Sequence, residues 1–129
     1  MKPIRILIVD DDARFLTFLS RTLKRAGFEV VTASDGCEVP ELIARVAIDV
    51  LVLDLQMPGM NGFEVLRSLR EALPTQLRGG GQRPKVIVVS GRDEEDTSDF
   101  ARHLGADAYL TKPLAGVQLV SAVRGVLAN

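Results

Sequence analysis

The sequence has 129 residues, a length that suits one compact unit, and residues 1–129 are predicted to form a single domain. Its 16 basic residues nearly balance 17 acidic ones, which argues against direct nucleic-acid binding, since such a surface carries excess positive charge. The single cysteine, Cys37, excludes an internal disulfide and favours a reducing, cytoplasmic setting. No apolar run is long enough to cross a bilayer, so no membrane contact is expected.

Five strand patterns alternate with five helix patterns along the chain. The strands are short apolar runs, typical of parallel strands that are buried on both faces. They are predicted at Ile4–Val9, Glu29–Ala33, Val50–Asp54, Lys85–Ser90 and Ala108–Leu110. The helices are predicted from Asp11 or Asp12 to Gly27, at Glu38–Val46, after Gly62, at Glu94–Leu104 and at Ala115–Leu127.

This alternation predicts an α/β fold, in which helices cover both faces of a doubly wound parallel sheet. Right-handed crossovers leave few topologies, and the flavodoxin-like strand order 2-1-3-4-5 suits five repeats. In that order the first and third strands are neighbours at the switch point, where open sheets bind their ligands.

Acidic residues follow these two strands. The first strand runs into Asp10-Asp11-Asp12, and the third ends at Asp54. Because the carboxyl ends of neighbouring parallel strands share one edge, we expect Asp10, Asp11 and Asp54 to point into one small space. Carboxylates that close repel each other unless a cation joins them or some are protonated. The pattern therefore predicts a metal site, although the first acidic run alone also fits a solvated turn that caps a helix.

Motifs at the ends of four strands extend this pattern. They are Val9-Asp10-Asp11, the segment from Asp54 through Gln56 to Gly62, the run from Val86 to Ser90-Gly91, and the run from Gly105 through Tyr109 to Thr111-Lys112-Pro113. Together they resemble the CheY-like receiver domain of two-component response regulators, and the resemblance spans Ile4 to about Leu127. It implies the same five-stranded fold that the alternation predicts.

The resemblance implies a role for each acid. Asp54 is expected to be the phosphoacceptor. Asp11 is expected to ligate Mg²⁺ (or Mn²⁺) directly and Asp10 to act close to the ion, with Asp54 and the backbone carbonyl of Gln56 completing the protein ligands. Carboxylate and carbonyl oxygens are the donors that Mg²⁺ prefers.

The other motifs imply phosphoryl-binding and switching residues. Ser90, Gly91 and Lys112 are expected to bind the phosphoryl group, and the Lys112–Pro113 bond is expected to be cis. Tyr109 is expected to act with Ser90 as the switch, although an ordinary half-buried aromatic also fits that position.

The implied function is a phosphorylatable signalling switch rather than an enzyme. A histidine kinase or a histidine phosphotransfer protein is expected to donate the phosphoryl group, and slow hydrolysis of the aspartyl phosphate to reset the domain. The fourth helix, fifth strand and fifth helix are expected to present the changing surface to an effector domain or a downstream protein. The broad apolar arc of the fifth helix fits either a homodimer contact or a helix in which small residues exaggerate the apolar face.

Three other functions fit parts of the pattern. An aspartate-nucleophile phosphohydrolase generally needs a second acid two residues after the nucleophile, where this chain has Gln56. A flavin or nucleotide module needs a small, uncharged phosphate loop after the first strand, where this chain has three acids. A pseudo-receiver that only docks is disfavoured by the intact acids.

The connection from Ala72 to Arg83 is long and contains Gly79-Gly80-Gly81. A phosphate-binding glycine loop follows a strand and precedes a helix, whereas this one precedes a strand. The sequence therefore predicts a flexible surface insertion at the end of the sheet opposite to the acids.

Overall fold

The computed structural model describes residues 2–55, 61–78, 81–91 and 95–129, without the side chains of 95 and 96. The strands are β1 (Arg5–Val9), β2 (Glu29–Ala33), β3 (Val50–Asp54), β4 (Lys85–Ser90) and β5 (Ala108–Thr111). The α-helices are α1 (Ala13–Arg25), α2 (Val39–Arg45), α3 (Gly62–Glu71), α4 (Glu95–His103) and α5 (Gly116–Leu127). Among these described helices, none combines the length and the apolarity needed to cross a membrane.

The strands form one parallel sheet in the order β2-β1-β3-β4-β5, which confirms the predicted topology. The central pair is in register from Ile6 opposite Val50 to Val9 opposite Leu53. Consequently β1 and β3 end side by side, and the residues that follow them share one edge of the sheet.

Successive side chains of the central strands enter two separate cores. Leu7, Val9, Leu51 and Leu53 pack in the core that contains residues of α2, α3 and α4. Their neighbours along each strand pack in the core that contains residues of α1 and α5. Burial on both faces explains why the strands read as continuous apolar runs.

Helix α2 is shorter than predicted. A 3₁₀ turn at Gly36–Glu38 precedes it, and Pro40 lies in its first turn. Asp35 and Glu38 form a capping box: the Asp35 side chain accepts from the Cys37 N–H at 2.8 Å, and that of Glu38 accepts from the Asp35 N–H at 3.1 Å. Because of this box, a 3₁₀ turn begins at Gly36, before the predicted start of the helix at Glu38. The α-helix itself begins one residue later than predicted, at Val39.

In α5 the apolar residues mostly face the sheet. Leu119, Val123 and Val126 are buried, and Val120, Ala122 and Leu127 pack partly against the same core. Val117 is 74% exposed and points away from it. The exposed apolar surface of α5 is therefore narrow.

The long connection lies at the amino end of the sheet, as predicted, and its described residues make specific contacts. A 3₁₀ turn at Pro74–Gln76 follows α3. The Arg83 guanidinium donates to the carbonyls of Leu69 (2.9 Å), Arg70 (3.1 Å) and Ala72 (2.6 Å). These bonds give the carbonyls of Arg70 and Ala72 a donor at the carboxyl end of α3, and they add a second donor to the Leu69 carbonyl, which also accepts the Ala72 N–H. The flexible glycine run that we predicted lies mostly outside the described residues.

Candidate functional site

The acids predicted to meet do so. Asp10 and Asp54 are 2% and 6% exposed, whereas Asp11 is exposed to solvent. Ligand oxygens of the three carboxylates lie within 4.8 Å of one another. The ends of β1 and β3 thus create a small acidic site at the edge of the sheet, as their adjacency predicted.

The turn between β1 and α1 holds Asp10 in place. Its Oδ1 accepts the Asp12 N–H at 2.9 Å, and the Asp12 side chain accepts from the N–H groups of Arg14 (3.0 Å) and Phe15 (3.3 Å). Asp12 is therefore the N-cap of α1, one of the two residues predicted for that role. The helix cap and the acidic site share one network of bonds.

Gly62 holds α3 close to the end of β3. A Cβ added at this position would lie 2.5 Å from Cα of Leu55 and 2.7 Å from the carbonyl oxygen of Asp54. Both are backbone atoms that cannot turn aside. A side chain here would displace the strand end that carries Asp54.

Lys112 brings a positive charge to the acids from the end of β5. Its Nζ lies 3.0 Å from Oδ2 of Asp10 and 3.5 Å from Oδ2 of Asp54. Burial alone lowers the pKa of Lys112, but the hydrogen bond to Asp10 and the charges of Asp54 and Asp10 outweigh it. The pKa of Lys112 therefore lies above its ordinary value, so the ammonium is charged throughout the neutral range.

The charge of this cluster fits a divalent cation. Three carboxylates and one ammonium give a formal charge of −3 + 1 = −2. The donors are oxygen atoms, which suits the hard ion Mg²⁺ better than a softer metal. Gln56, whose carbonyl was predicted as a further ligand, lies outside the described residues.

The structure places the other described residues of the predicted site at the ends of β4 and β5. Ser90 ends β4, is fully buried, and accepts the Lys112 backbone N–H through its carbonyl at 2.7 Å. A Cβ added at Gly91 would meet no described atom within 4 Å. Tyr109 is half-buried on β5, opposite Val88, and packs against the core on the α2–α4 face. The Lys112–Pro113 bond is cis, as expected.

One contact of the site was missed by sequence reasoning. The Phe15 ring lies beneath the Lys112 ammonium, with 4.5 Å between Nζ and the ring centroid. The spacing of Phe15 in α1 indicated only a core residue. Helical geometry could have placed it near the acids, because it is in the first turn after Asp12, but not against Lys112.

The sequence matches the family model of the response regulator receiver domain over residues 6–124. It is 38% identical over 125 residues to the response regulator MprA of Mycobacterium sp. strain KMS, covering 97% of this chain and 51% of that protein. The chain thus spans about half the length of the curated relatives it matches.

Solved structures agree with this match. A CheY-like response regulator receiver domain protein from Methanospirillum hungatei is similar with a TM-score of 0.85 and 30% identity, over 98% of this chain and 95% of that one. A putative response regulator from Chloroflexus aurantiacus gives a TM-score of 0.87 and 29% identity, over 99% of this chain and 100% of that one. The chain therefore belongs to the response regulator receiver domain family, whose members act as phosphorylatable signalling switches rather than as classical enzymes.

Proposed function

We propose that Asp54 is the residue that accepts the phosphoryl group. One observation carries this proposal: Asp54 is a buried carboxylate in a cluster of three, and the Lys112 ammonium lies between it and Asp10. Phosphoryl transfer depends mainly on positioning and on neutralising charge, and this site offers both.

The donor is proposed to be a phosphohistidine of a histidine kinase or of a histidine phosphotransfer protein. In the transfer, the bond between phosphorus and the imidazole nitrogen breaks, and a bond forms between phosphorus and a carboxylate oxygen of Asp54. The imidazole nitrogen keeps the electron pair of the broken bond. A carboxylate is a weak nucleophile, but a phosphoimidazole has a leaving group good enough to react with it.

Mg²⁺ (or Mn²⁺) is proposed to bind Asp11 and Asp54 directly, with Asp10 close by and the Gln56 carbonyl as a further ligand. A bound divalent ion neutralises charge on the phosphoryl oxygens during the transfer. The chain itself supplies the other contacts. Lys112 is proposed to pair with one phosphoryl oxygen, and the Ser90 hydroxyl and the Gly91 N–H are proposed to donate to another.

The response is proposed to pass from Ser90 to Tyr109. Movement of the Ser90 hydroxyl toward the phosphoryl group would vacate space that the Tyr109 ring can fill. The bond between the Ser90 carbonyl and the Lys112 N–H supports this link, because it joins the ends of β4 and β5. Such a two-state element needs only a few kcal/mol of differential contact to shift its populations.

The surface formed by α4, β5 and α5 is proposed to carry the signal to an effector domain or to a downstream protein in the cytoplasm. A homodimer through this surface is a second proposed output, supported by the exposure of Val117 on α5 (74%). Hydrolysis of the aspartyl phosphate is proposed to reset the domain.

The direct test is to incubate the protein with acetyl phosphate and Mg²⁺ and to measure intact mass. We expect a gain of one phosphoryl group in the wild type and none in Asp54→Asn. Asp12→Asn is the matched control, because it removes one negative charge near the site while asparagine still caps a helix well. Equal gain in Asp54→Asn, or none in the wild type, would contradict the proposal. Size-exclusion chromatography of the same samples tests the homodimer.

A further inference from the structure

Lys112 has a third partner besides its two carboxylates. The centroid of the Phe15 ring lies 4.5 Å from Nζ, within the range of about 6 Å over which a cation is attracted to an aromatic face. The Lys112 side chain is 26% exposed, so the ring, Asp10 and Asp54 together shield most of it from water.

The backbone around Phe15 is tied to the same carboxylate that binds Lys112. The Phe15 N–H donates to the Asp12 side chain, and the Asp12 N–H donates to Oδ1 of Asp10. The other oxygen of Asp10 accepts from Lys112. The ring and the ammonium are therefore placed relative to each other by one short network rather than by separate parts of the fold.

Lysine has a flexible stem whose freedom is lost when its ammonium is held in one place. The Nζ–Asp54 distance of 3.5 Å is at the outer limit of a hydrogen bond, so that contact alone restrains Lys112 weakly. An aromatic face against the ammonium limits the orientations of the stem. It does so without a negative charge that would repel an incoming phosphoryl group.

Packing gives only a partial account of Phe15. Leu19 and Leu23 are fully buried in the core beneath α1, whereas Phe15 is half-buried at its margin. Its ring centroid also lies 6.3 Å from that of Phe18, which is 43% exposed. The two phenylalanines are thus similar in type and location, and they differ in that only Phe15 has a described contact with Lys112.

We propose that Phe15 is a positioning residue, whose ring holds the Lys112 ammonium at Asp54 ready for the phosphoryl group. This inference rests on the proposed roles of Asp54 and Lys112. It predicts that the aromatic face at position 15 matters, beyond the apolar volume it supplies.

The first test measures the position of Lys112 without any phosphorylation. The chain has lysines at 2, 24, 85 and 112, so the ε-CH₂ signals can be assigned by NMR with Lys112→Arg as a reference. In metal-free protein we expect the Lys112 ε-CH₂ protons to be shifted upfield by the ring. The shift should disappear in Phe15→Leu, return in Phe15→Tyr and persist in Phe18→Leu, the matched control.

The second test measures the rate of phosphorylation by acetyl phosphate with Mg²⁺. We expect Phe15→Leu to react about three- to tenfold more slowly, the range of a partly desolvated cation–π contact, and Phe15→Tyr and Phe18→Leu to react at nearly the wild-type rate. Unfolding in urea reports the structural effect of each variant separately.

The outcomes distinguish this inference from the proposal beneath it. If the wild type reacts and Phe15→Leu reacts equally fast, or if the Lys112 signals do not change in Phe15→Leu, the positioning role is wrong while Asp54 remains the acceptor. A slower rate in all three variants, in proportion to lost stability, would also overturn it. If the wild type itself takes up no phosphoryl group, the proposed function fails and this inference fails with it.

Discussion

The two ends of the parallel sheet both carry charged residues, but those residues have different partners. At the amino end several of them contact the backbone, although Arg5 and Glu29 also pair with each other. Arg83 donates to the carbonyls of Leu69, Arg70 and Ala72, and Oδ2 of Asp107 accepts the Val86 N–H at 2.8 Å. Arg83 and Asp107 each provide partners to backbone groups, and these bonds contribute to stability.

At the carboxyl end the charged side chains contact one another. Asp10 and Asp54 share the single described ammonium of Lys112, and Asp11 adds a further carboxylate. This end keeps a formal charge of −2 that the described residues do not compensate. The comparison teaches that binding capacity arises where like charges are concentrated in one place, and stability where charged side chains bond to the backbone.

The largest effect is expected from Lys112→Met, because it leaves the buried carboxylates of Asp10 and Asp54 without their ammonium. We expect the free energy of unfolding in urea with a metal chelator to fall by about 3 kcal/mol, the cost of removing one partner of a buried pair. Added Mg²⁺ should restore more stability to the variant than it adds to the wild type, since it supplies the missing positive charge.

The pH dependence of this variant has a definite sign. Because the folded-state pKa of Lys112 is raised, its contribution to stability is complete below its ordinary pKa of 10.5 and is lost as pH rises through the raised value. The difference in the free energy of unfolding between the wild type and Lys112→Met should therefore disappear only in strong alkali. Lys85→Met, at the amino end, is the control; an equal loss in that variant would break the comparison.

Arg83→Met should have the next largest effect. It leaves the carbonyls of Arg70 and Ala72 without their described donor and removes one of the two donors to the Leu69 carbonyl, and we expect a loss of about 2 kcal/mol in the free energy of unfolding. Phosphorylation by acetyl phosphate should be unchanged, since the substitution is at the opposite end of the sheet. Arg102→Met, an exposed arginine on α4, provides the control. A slower phosphorylation rate would show that the two ends are coupled.

Much of this arrangement could be predicted from sequence, for a physical reason. A strand that is buried on both faces must be apolar throughout, so the acid that follows Val9 and the acid at position 54 mark the ends of β1 and β3 without any tertiary information. Once the strand order was inferred, the meeting of Asp10 with Asp54 followed from geometry. The Asp35–Glu38 spacing was also a readable capping signal, although the prediction for α2 did not use it.

Other features depend on contacts that no local pattern encodes. The Phe15–Lys112 contact joins the first turn of α1 to the end of β5, and its distance follows from how the helix packs on the sheet. The bonds from Arg83 join residues 11 to 14 positions apart across a connection with no periodicity. Sequence reasoning therefore located the acids and Lys112, and it missed the Phe15 contact and the bonds from Arg83.

Two aspartate variants, one at each end of the sheet, test the comparison because they should change the free energy of unfolding differently: one should lower it and the other should not. Asp107→Ala removes the acceptor of the Val86 N–H and should lower the free energy of unfolding by about 1 kcal/mol. Asp11→Asn removes one of three mutually repelling carboxylates and should leave metal-free stability unchanged or slightly higher.

The stabilisation by Mg²⁺ should also differ between these two variants. Titration of the unfolding midpoint should show a smaller stabilisation in Asp11→Asn than in the wild type, and an undiminished one in Asp107→Ala. If Asp11→Asn were less stable than the wild type in a chelator, the Asp11 carboxylate would stabilise the metal-free protein through favourable contacts. The comparison between the two ends would then be wrong.

The smallest effect is expected from the exposed ion pair between β1 and β2. Arg5 and Glu29 lie 3.0 Å apart, with side chains 36% and 47% exposed. Water screens such a pair, so Glu29→Gln should change the free energy of unfolding by less than about 0.5 kcal/mol, and by less still in high salt. A loss above about 1 kcal/mol would show that a solvated charge pair alone can stabilise the amino end. The stability of that end could then not be attributed to the backbone bonds of Arg83 and Asp107 alone, because an exposed pair of opposite charges would stabilise it as well.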